Sequence, residues 1–100
     1  MNWQTPQSDD LFSTILGLKN KDEVKLFFRD LLTEKEIIEF SNRWQAAQML
    51  NNKIPYSQIV KETGLSSTTV ARIAKWLNGD NGGYRLALSR LNHHTLPPLR

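Results

Sequence analysis

The stretch KETGLSSTTVARIAKWL, residues 61–77, constrains the fold of this chain more than any other. Gly64 stands between two short amphipathic runs, and Ser66 lies where a helix N-cap is expected before the second run. The pattern predicts two short helices, residues 56–63 and 67–77, joined by a glycine turn, which is the sequence form of a helix-turn-helix. Apolar residues suited to its small core occur on both helices and in the turn: Ile59, Val60, Leu65, Val70, Ile73 and Leu77.

The second of these helices has two unlike faces. With about 100° between successive residues, Ile73, Ala74 and Leu77 fall on the side of Val70, whereas Arg72 lies opposite. Small residues near the start of such a helix can approach base edges, and later cations can reach bases or phosphates. The DNA-binding residues predicted on this helix are Ser67, Thr68, Ala71, Arg72 and Lys75, and those on the helix before it are Ser57, Gln58 and Lys61. Four of these are candidate phosphate contacts: Ser57, Gln58, Lys61 and Ser67.

The charge of the chain is divided unevenly along its length. Residues 1–40 carry five basic and eight acidic groups, a net charge of −3, whereas residues 41–100 carry eight basic and two acidic groups, a net charge of +6. Taken alone, such a split fits either an anionic partner for the second part or a solvated surface with uneven charge, and it favours the partner only where it coincides with a motif. The alternative is a helical hairpin whose Arg72 and Lys75 are ordinary surface charges. The coincidence of the turn, the cap, the apolar set and the positive charge favours DNA binding.

The remaining chain is also predicted to be helical, because no segment alternates apolar and polar residues over the length of a strand. We expect one domain over residues 1–100: N-terminal and central helices within 8–52, the helix-turn-helix over 56–77, a last helix over 84–91, and flexible tails at 1–7 and 92–100. The first helix is expected to start near Ser8 and to end at Gly17. The second should start after Asn20, with Glu23 reaching back to the cap amide, and the third at a capping box of Thr33 and Glu36. Pro55 should begin the fourth helix. Apolar residues surround most of the third helix, which favours burial against a second subunit.

Several classes of function are not expected. The chain has no cysteine, and His93 and His94 stand side by side in a Pro-rich tail, so no thiol chemistry and no metal site are predicted. No catalytic constellation and no glycine-rich phosphate loop after a strand is found, because the glycines of NGDNGG lie between helices; an enzyme is therefore not expected. No segment has the pattern of a signal peptide or a membrane span, which favours a cytoplasmic protein without a membrane partner.

The segment LLTEKEIIEFSNRWQAAQMLNNKIPYSQIVKETGLSSTTVARI resembles the Trp repressor and, more closely, the YerC/YecD group of Trp-repressor-like proteins. The matching features are LLT before an acidic helix start, an arginine ten residues after that threonine, and the turn TG-x-S-x-x-T-x-x-R; the likeness covers about residues 22–91. It implies an all-α, six-helix fold, an intertwined homodimer and a two-fold-symmetric operator. Ser67, Thr68 and Ala71 match family positions that approach bases, and Ser57 matches one near the backbone.

The same resemblance bears on a small-molecule effector. In the Trp repressor two arginines hold tryptophan, and Arg43 and Arg72 stand at the matching positions. The family has small residues where this chain has Ile73 and Trp76, which are expected to fill the space themselves. No cofactor is therefore predicted, and tryptophan in particular is not expected. Arg43 is then either a structural cation paired with a carboxylate, which is the favoured interpretation, or part of a pocket for another anionic effector.

The sequence as a whole predicts a homodimeric, sequence-specific regulator of transcription, acting as a repressor on double-stranded DNA. The competing hypothesis is a helix-turn-helix module that docks a partner protein. Such a module needs an apolar anchor, and residues 67–75 offer none unless Trp76 is exposed. Trp44 and Trp76 are expected to be core or dimer contacts, whereas the arm MNWQTPQ could contact either DNA or a second subunit.

Overall fold

The computed structural model describes residues 2–79 and 82–95, and these residues form six α-helices and no β-strand. The helices are α1 (Pro6–Leu16), α2 (Lys21–Leu31), α3 (Glu34–Asn51), α4 (Tyr56–Thr63), α5 (Ser67–Leu77) and α6 (Gly83–Thr95). The predicted all-α, six-helix architecture is thus confirmed. The chain divides into two compact units, Met1–Ile37 and Ile38–Arg100. Within the described ranges no helix combines the length and the apolar character needed to cross a membrane.

The first helix begins earlier than expected, because Thr5 and not Ser8 is its N-cap. The Thr5 hydroxyl accepts a hydrogen bond from the Ser8 amide at 3.1 Å, and the Ser8 hydroxyl accepts one from the Thr5 amide at 2.9 Å. Pro6 fits the first helical position, since the missing amide hydrogen would have no partner there. Residues 6 and 7 therefore belong to α1 and not to a tail. Gly17 ends the helix as predicted.

The next two helix starts follow the sequence signals closely. Asn20 caps α2 by accepting a hydrogen bond from the Glu23 amide at 3.0 Å, although the Glu23 carboxylate binds the Lys19 amide instead of the cap amide. The capping box of α3 is confirmed by two hydrogen bonds between Thr33 and Glu36. The hydrogen bond from the Thr33 amide is the largest cause that lowers the pKa of the Glu36 carboxyl below its ordinary value, and the hydrogen bond from the Thr33 hydroxyl is the second. Both bonds favour the charged form of the carboxyl.

The first unit leaves its apolar side chains uncovered in the single chain. Neither α1 nor α2 contains a buried residue. Leu16, Leu26 and Leu31 are all exposed. Helices stabilised by packing normally bury one apolar face. The apolar residues of this unit therefore exceed what the unit itself can bury.

The second unit contains the hydrophobic core. Its buried cluster joins Ala46 and Ala47 of α3, Ile59 of α4, and Val70 and Ile73 of α5. The apolar set predicted for the helix-turn-helix is confirmed, because Leu77 is also buried and Val60 and Leu65 pack against the cluster. The third helix differs from expectation in the single chain, where only Ala46 and Ala47 are buried and Ile38 and Phe40 remain about half exposed.

The last helix is longer than the predicted segment 84–91. It runs to Thr95, since no glycine or proline interrupts the chain between Tyr84 and that residue. Residues 92–95 are therefore helical, although they were expected to belong to a flexible tail. The side chains of His93 and His94, residues 96–100, and Asp80 and Asn81 of the predicted loop lie outside the described part of the chain.

Candidate nucleic-acid interface

The turn between α4 and α5 is held by hydrogen bonds local to it. Gly64 has a φ of +75°, the left-handed conformation predicted for it, and its amide binds the Val60 carbonyl at 3.0 Å. The buried Thr63 hydroxyl donates to the Ile59 carbonyl at 2.7 Å and accepts from the Leu65 amide at 3.2 Å. The bonds of Thr63 and Gly64 set the direction in which the chain enters α5. At the other end of α4, Pro55 is the N-cap, one position before the first turn in which it was expected.

Both ends of α5 are fixed by side chains. The Ser66 hydroxyl accepts a hydrogen bond from the Thr69 amide at 3.1 Å, as the predicted N-cap. At the other end, the Arg85 guanidinium on α6 donates to the Leu77 carbonyl at 2.9 Å. The buried residues of α5 are Val70, Ile73, Ala74 and Leu77. The helix is thus anchored along one face and at both termini.

The opposite face of α5 is open to solvent. Its exposed residues include all five that were predicted to contact DNA: Ser67, Thr68, Ala71, Arg72 and Lys75. Small side chains occupy the N-terminal half of this face, and the two cations follow one turn later. Neither Arg72 nor Lys75 forms an ion pair within the described residues. The face can therefore offer hydroxyl groups and free positive charges to an anionic partner.

The predicted residues of α4 are exposed as well, but they differ in their surroundings. Ser57, Gln58 and Lys61 all face solvent. The Gln58 amide nitrogen donates a hydrogen bond of 2.7 Å to the Glu62 carboxylate, one helical turn away. The carboxylate therefore lies beside a residue that was predicted to bind phosphate.

Arg43 has the contacts of a structural cation. Its guanidinium pairs with the Glu39 carboxylate and lies 5.9 Å from the centre of the Phe40 ring. The predicted pairing with a carboxylate is thus confirmed. The Nε atom of Arg43 is nevertheless buried without a hydrogen-bond partner. The side chain has a remaining donor that the protein does not use.

A cavity of about 300 Å³ lies next to Arg43 and Arg72. It is lined by Arg43 of α3, Thr69, Arg72, Ile73 and Trp76 of α5, and Gly83 and Tyr84 at the start of α6. Ile73 and Trp76, which were expected to fill this space, are among the residues that line it. Ile73 is buried in the core, whereas Trp76 is 61% exposed, so both form walls and leave the space open. Trp44 behaves as expected, because it packs against the core and stacks on Tyr84 with 6.4 Å between ring centres.

The sequence contained a signal for the exposure of Trp76. On the helical wheel Trp76 falls only about 40° from Arg72, on the side away from Val70. The contributions of Gly83, Tyr84 and Arg85 had no such signal, because these residues are separated from α5 by a loop. No cluster of three or more His, Cys, Asp or Glu side chains suited to a metal ion occurs among the described residues.

Comparison with known proteins gives consistent matches over most of the chain. Residues 6–92 match the family model of the Trp repressor protein. The uncharacterized protein YerC of Bacillus subtilis (strain 168) is 41% identical over 83 residues, which cover 83% of this chain and 80% of YerC. A TrpR-like protein from Eubacterium eligens ATCC 27750 is 38% identical with a TM-score of 0.82, over 89% of this chain and 92% of that one. A candidate Trp repressor from Staphylococcus aureus is 37% identical with a TM-score of 0.81, over 89% of both chains.

Proposed function

Because the chain belongs to the Trp repressor family and has its all-α fold, we propose that it is a sequence-specific DNA-binding regulator. In this proposal it acts as a repressor, binds a two-fold-symmetric operator as a homodimer, and works in the cytoplasm in contact with DNA. The protein would be a regulator and not an enzyme. Each subunit would place α5 in the major groove of one half-site.

The observation that carries the proposal is the division of α5 into a buried and an exposed face. Val70, Ile73 and Leu77 fix the helix to the core, which leaves the opposite face free along its length. Ser67, Thr68 and Ala71 are short enough to let the helix backbone approach base edges. Arg72 and Lys75 follow where longer cations can reach bases or phosphates.

Electrostatics supports the same partner. Within α4 and α5 the cations are Lys61, Arg72 and Lys75, and Glu62 is the one acidic side chain. Each cation that neutralises a phosphate releases counterions, and this release favours binding at low salt. A surface of this kind therefore suits a polyanion such as duplex DNA.

The uncovered apolar residues support the homodimer. Leu16, Leu26 and Leu31 of the first unit, and Ile38 and Phe40 of α3, are exposed in the single chain. An interface between two copies of the chain would bury large apolar side chains of this kind. A second copy of this chain is the occupant that the family membership favours.

In vitro selection from random duplexes at near-physiological salt tests the proposal. Under these conditions non-specific binding is weak, with dissociation constants of roughly micromolar or higher. We expect enrichment of a motif with two-fold symmetry and half-sites about one helical turn apart. A folded protein that enriches no motif, with or without candidate effectors, would contradict the proposal.

A protein-interaction module is the second candidate, and the exposure of Trp76 favours it. At 61% exposure this side chain provides the apolar anchor that such a module requires. Binding through an aromatic anchor depends weakly on salt, whereas phosphate contacts give a steep dependence. Substitution of Trp76 by alanine separates the two functions, because it removes the anchor but leaves Arg72 and Lys75 in place.

The cavity beside Arg43 and Arg72 supports a small anionic effector as a refinement of the proposed regulator. Two arginines, Arg43 and Arg72, line a space of about 300 Å³ together with Thr69 and Tyr84. Ile73 and Trp76 make its walls bulkier than a tryptophan site would require, so we propose a ligand other than tryptophan. Titration calorimetry with L-tryptophan, benzoate and inorganic phosphate tests this, with Arg43→Ala as the variant expected to lose binding.

A further inference from the structure

A hydrogen bond joins Gln58 to Glu62, one turn later on α4. Both residues are exposed on α4, and the Gln58 Nε2 atom lies 2.7 Å from the Glu62 carboxylate oxygen. A hydrogen bond to a charged acceptor is stronger and better defined than one between neutral groups. In this structure the bond orients the amide of Gln58 toward Glu62.

Glu62 makes Gln58 a poor phosphate contact. A phosphate oxygen can only accept hydrogen bonds, so it would have to approach the same amide nitrogen that already faces the carboxylate. The two negative groups would then lie close together and repel each other. Ser57 and Lys61 carry no such neighbour among the described contacts and remain suitable for phosphate.

Gln58 keeps the groups that a base edge requires. Its amide nitrogen has two hydrogens, of which Glu62 accepts one, and its carbonyl oxygen makes no hydrogen bond within the described residues. One free N–H donor and one free oxygen acceptor match the N7 acceptor and the N6 donor of adenine in the major groove. No other purine or pyrimidine presents that pair in the major groove.

We propose that Gln58 reads an adenine in the operator and that Glu62 is the positioning residue that orients its amide. This inference rests on the proposed DNA-binding function and assigns a base to one residue of that site. It also gives a role to the acidic group on a basic surface. Glu62 disfavours a phosphate beside Gln58 and so raises the ratio of specific to non-specific binding.

The test compares affinities for the selected operator, for the same operator with the adenine pair replaced, and for an unrelated duplex. We expect Gln58→Ala to weaken binding to the operator about tenfold, as for loss of a bidentate base contact, and to leave the unrelated duplex unaffected. Glu62→Ala should lose preference at the same base pair. The double variant should lose no more preference at this base pair than either single variant, because the two residues act as a unit.

Two further variants separate positioning from a merely structural role. Glu62→Gln keeps an acceptor oxygen, so we expect it to retain the base preference while it binds the unrelated duplex more tightly. Lys61→Ala is the matched control on α4, and it should weaken all three duplexes alike and reduce the salt slope by about 0.9. A structural role of the pair would instead lower thermal stability without changing preference at any base.

The outcomes distinguish this inference from the function on which it rests. If the wild-type protein enriches no motif, the proposed function fails. If it enriches a motif but Gln58→Ala weakens all three duplexes equally, Gln58 is a backbone contact and only the present inference is overturned. A preference lost at one adenine pair in both single variants would establish it.

Discussion

The Thr63 hydroxyl accepts a hydrogen bond from the Leu65 amide across Gly64, with 3.2 Å between the two atoms. The same hydroxyl donates to the Ile59 carbonyl at 2.7 Å, and Thr63 is 6% exposed. One buried side chain thus joins the end of α4 to the turn that leads into α5. The orientation of the exposed face of α5 depends on this bond as well as on the apolar core.

Substitution of Thr63 by valine should therefore destabilise the protein. Valine has a similar shape but leaves the partly buried Leu65 amide without its acceptor, and loss of such a hydrogen bond costs about 0.5–1.5 kcal/mol. The free energy of unfolding in urea measures the effect. Thr68→Val is the control, because Thr68 is exposed and its substitution should change stability by less than about 0.5 kcal/mol. Equal losses in the two variants would contradict the role given to Thr63.

Lys53 should be replaceable by glycine with a gain in stability. It has a φ of +62° and ends α3 through bonds from its amide to the Leu50 carbonyl and from the Ile54 amide to the Met49 carbonyl. A side chain in this conformation costs about 1–2 kcal/mol. Glycine removes that cost but makes the unfolded chain more flexible, and this offsets part of the gain. We expect Lys53→Gly to raise the free energy of unfolding by about 0.5–1 kcal/mol.

Two variants control for this result. Lys53→Ala removes the charge but keeps the strain, so it should give no gain. Gly64→Ala introduces a side chain where φ is +75° and should cost about 1–2 kcal/mol. A gain from Lys53→Ala equal to that from glycine would show that the charge, and not the backbone, matters.

The Glu36 carboxylate should make the unfolding free energy depend on pH. Because Thr33 lowers its pKa in the folded state, the stabilisation is fully present above the unfolded value of 4.5 and is lost as pH falls through the folded value. Glu36→Gln should flatten the pH dependence below about pH 4.5, as measured by thermal unfolding in buffers of decreasing pH. Glu34→Gln removes a carboxylate from the same first turn without touching the Thr33 cap, and it should leave that part of the curve in place.

The proposed homodimer predicts an effect of charge at an exposed leucine of α2. Leu26 is 53% exposed in the single chain, and burial of a leucine contributes about 1.5–3 kcal/mol. Leu26→Glu should therefore raise the dimer dissociation constant at least about tenfold, as measured by sedimentation equilibrium. Lys25→Ala changes the net charge by the same amount and should leave assembly intact. A wild-type protein that sediments as a monomer at all concentrations would refute the dimer.

The cations of α5 predict the salt dependence of DNA binding. Lys75→Ala should weaken binding to all duplexes and reduce the slope of log affinity against log salt by about 0.9, as for one lost phosphate contact. Arg72→Ala together with Lys75→Ala should weaken binding further. Unchanged affinity in the double variant would mean that another face of the protein meets the DNA.

Features that depend on neighbours a few residues apart could be predicted from the sequence alone. The caps at Asn20, Thr33 and Ser66, and the left-handed Gly64, follow from hydrogen bonds and backbone sterics within one turn of chain. The division of α5 into two faces follows from helical periodicity. The start of α1 was placed too late because Ser8 and Thr5 carry the same chemistry, and only their mutual hydrogen bonds decide which one is the cap.

Features that join residues distant in sequence were decided by the tertiary structure. The sizes of Ile73 and Trp76 predicted a filled space, although helical periodicity already placed Ile73 on the buried face of α5 and Trp76 on the side of Arg72. The start of α6 then completes a cavity with Gly83 and Tyr84, and Arg85 holds the end of α5. Side-chain volume and the face of a helix follow from the sequence, whereas the space left between α3, α5 and α6 depends on how these helices pack.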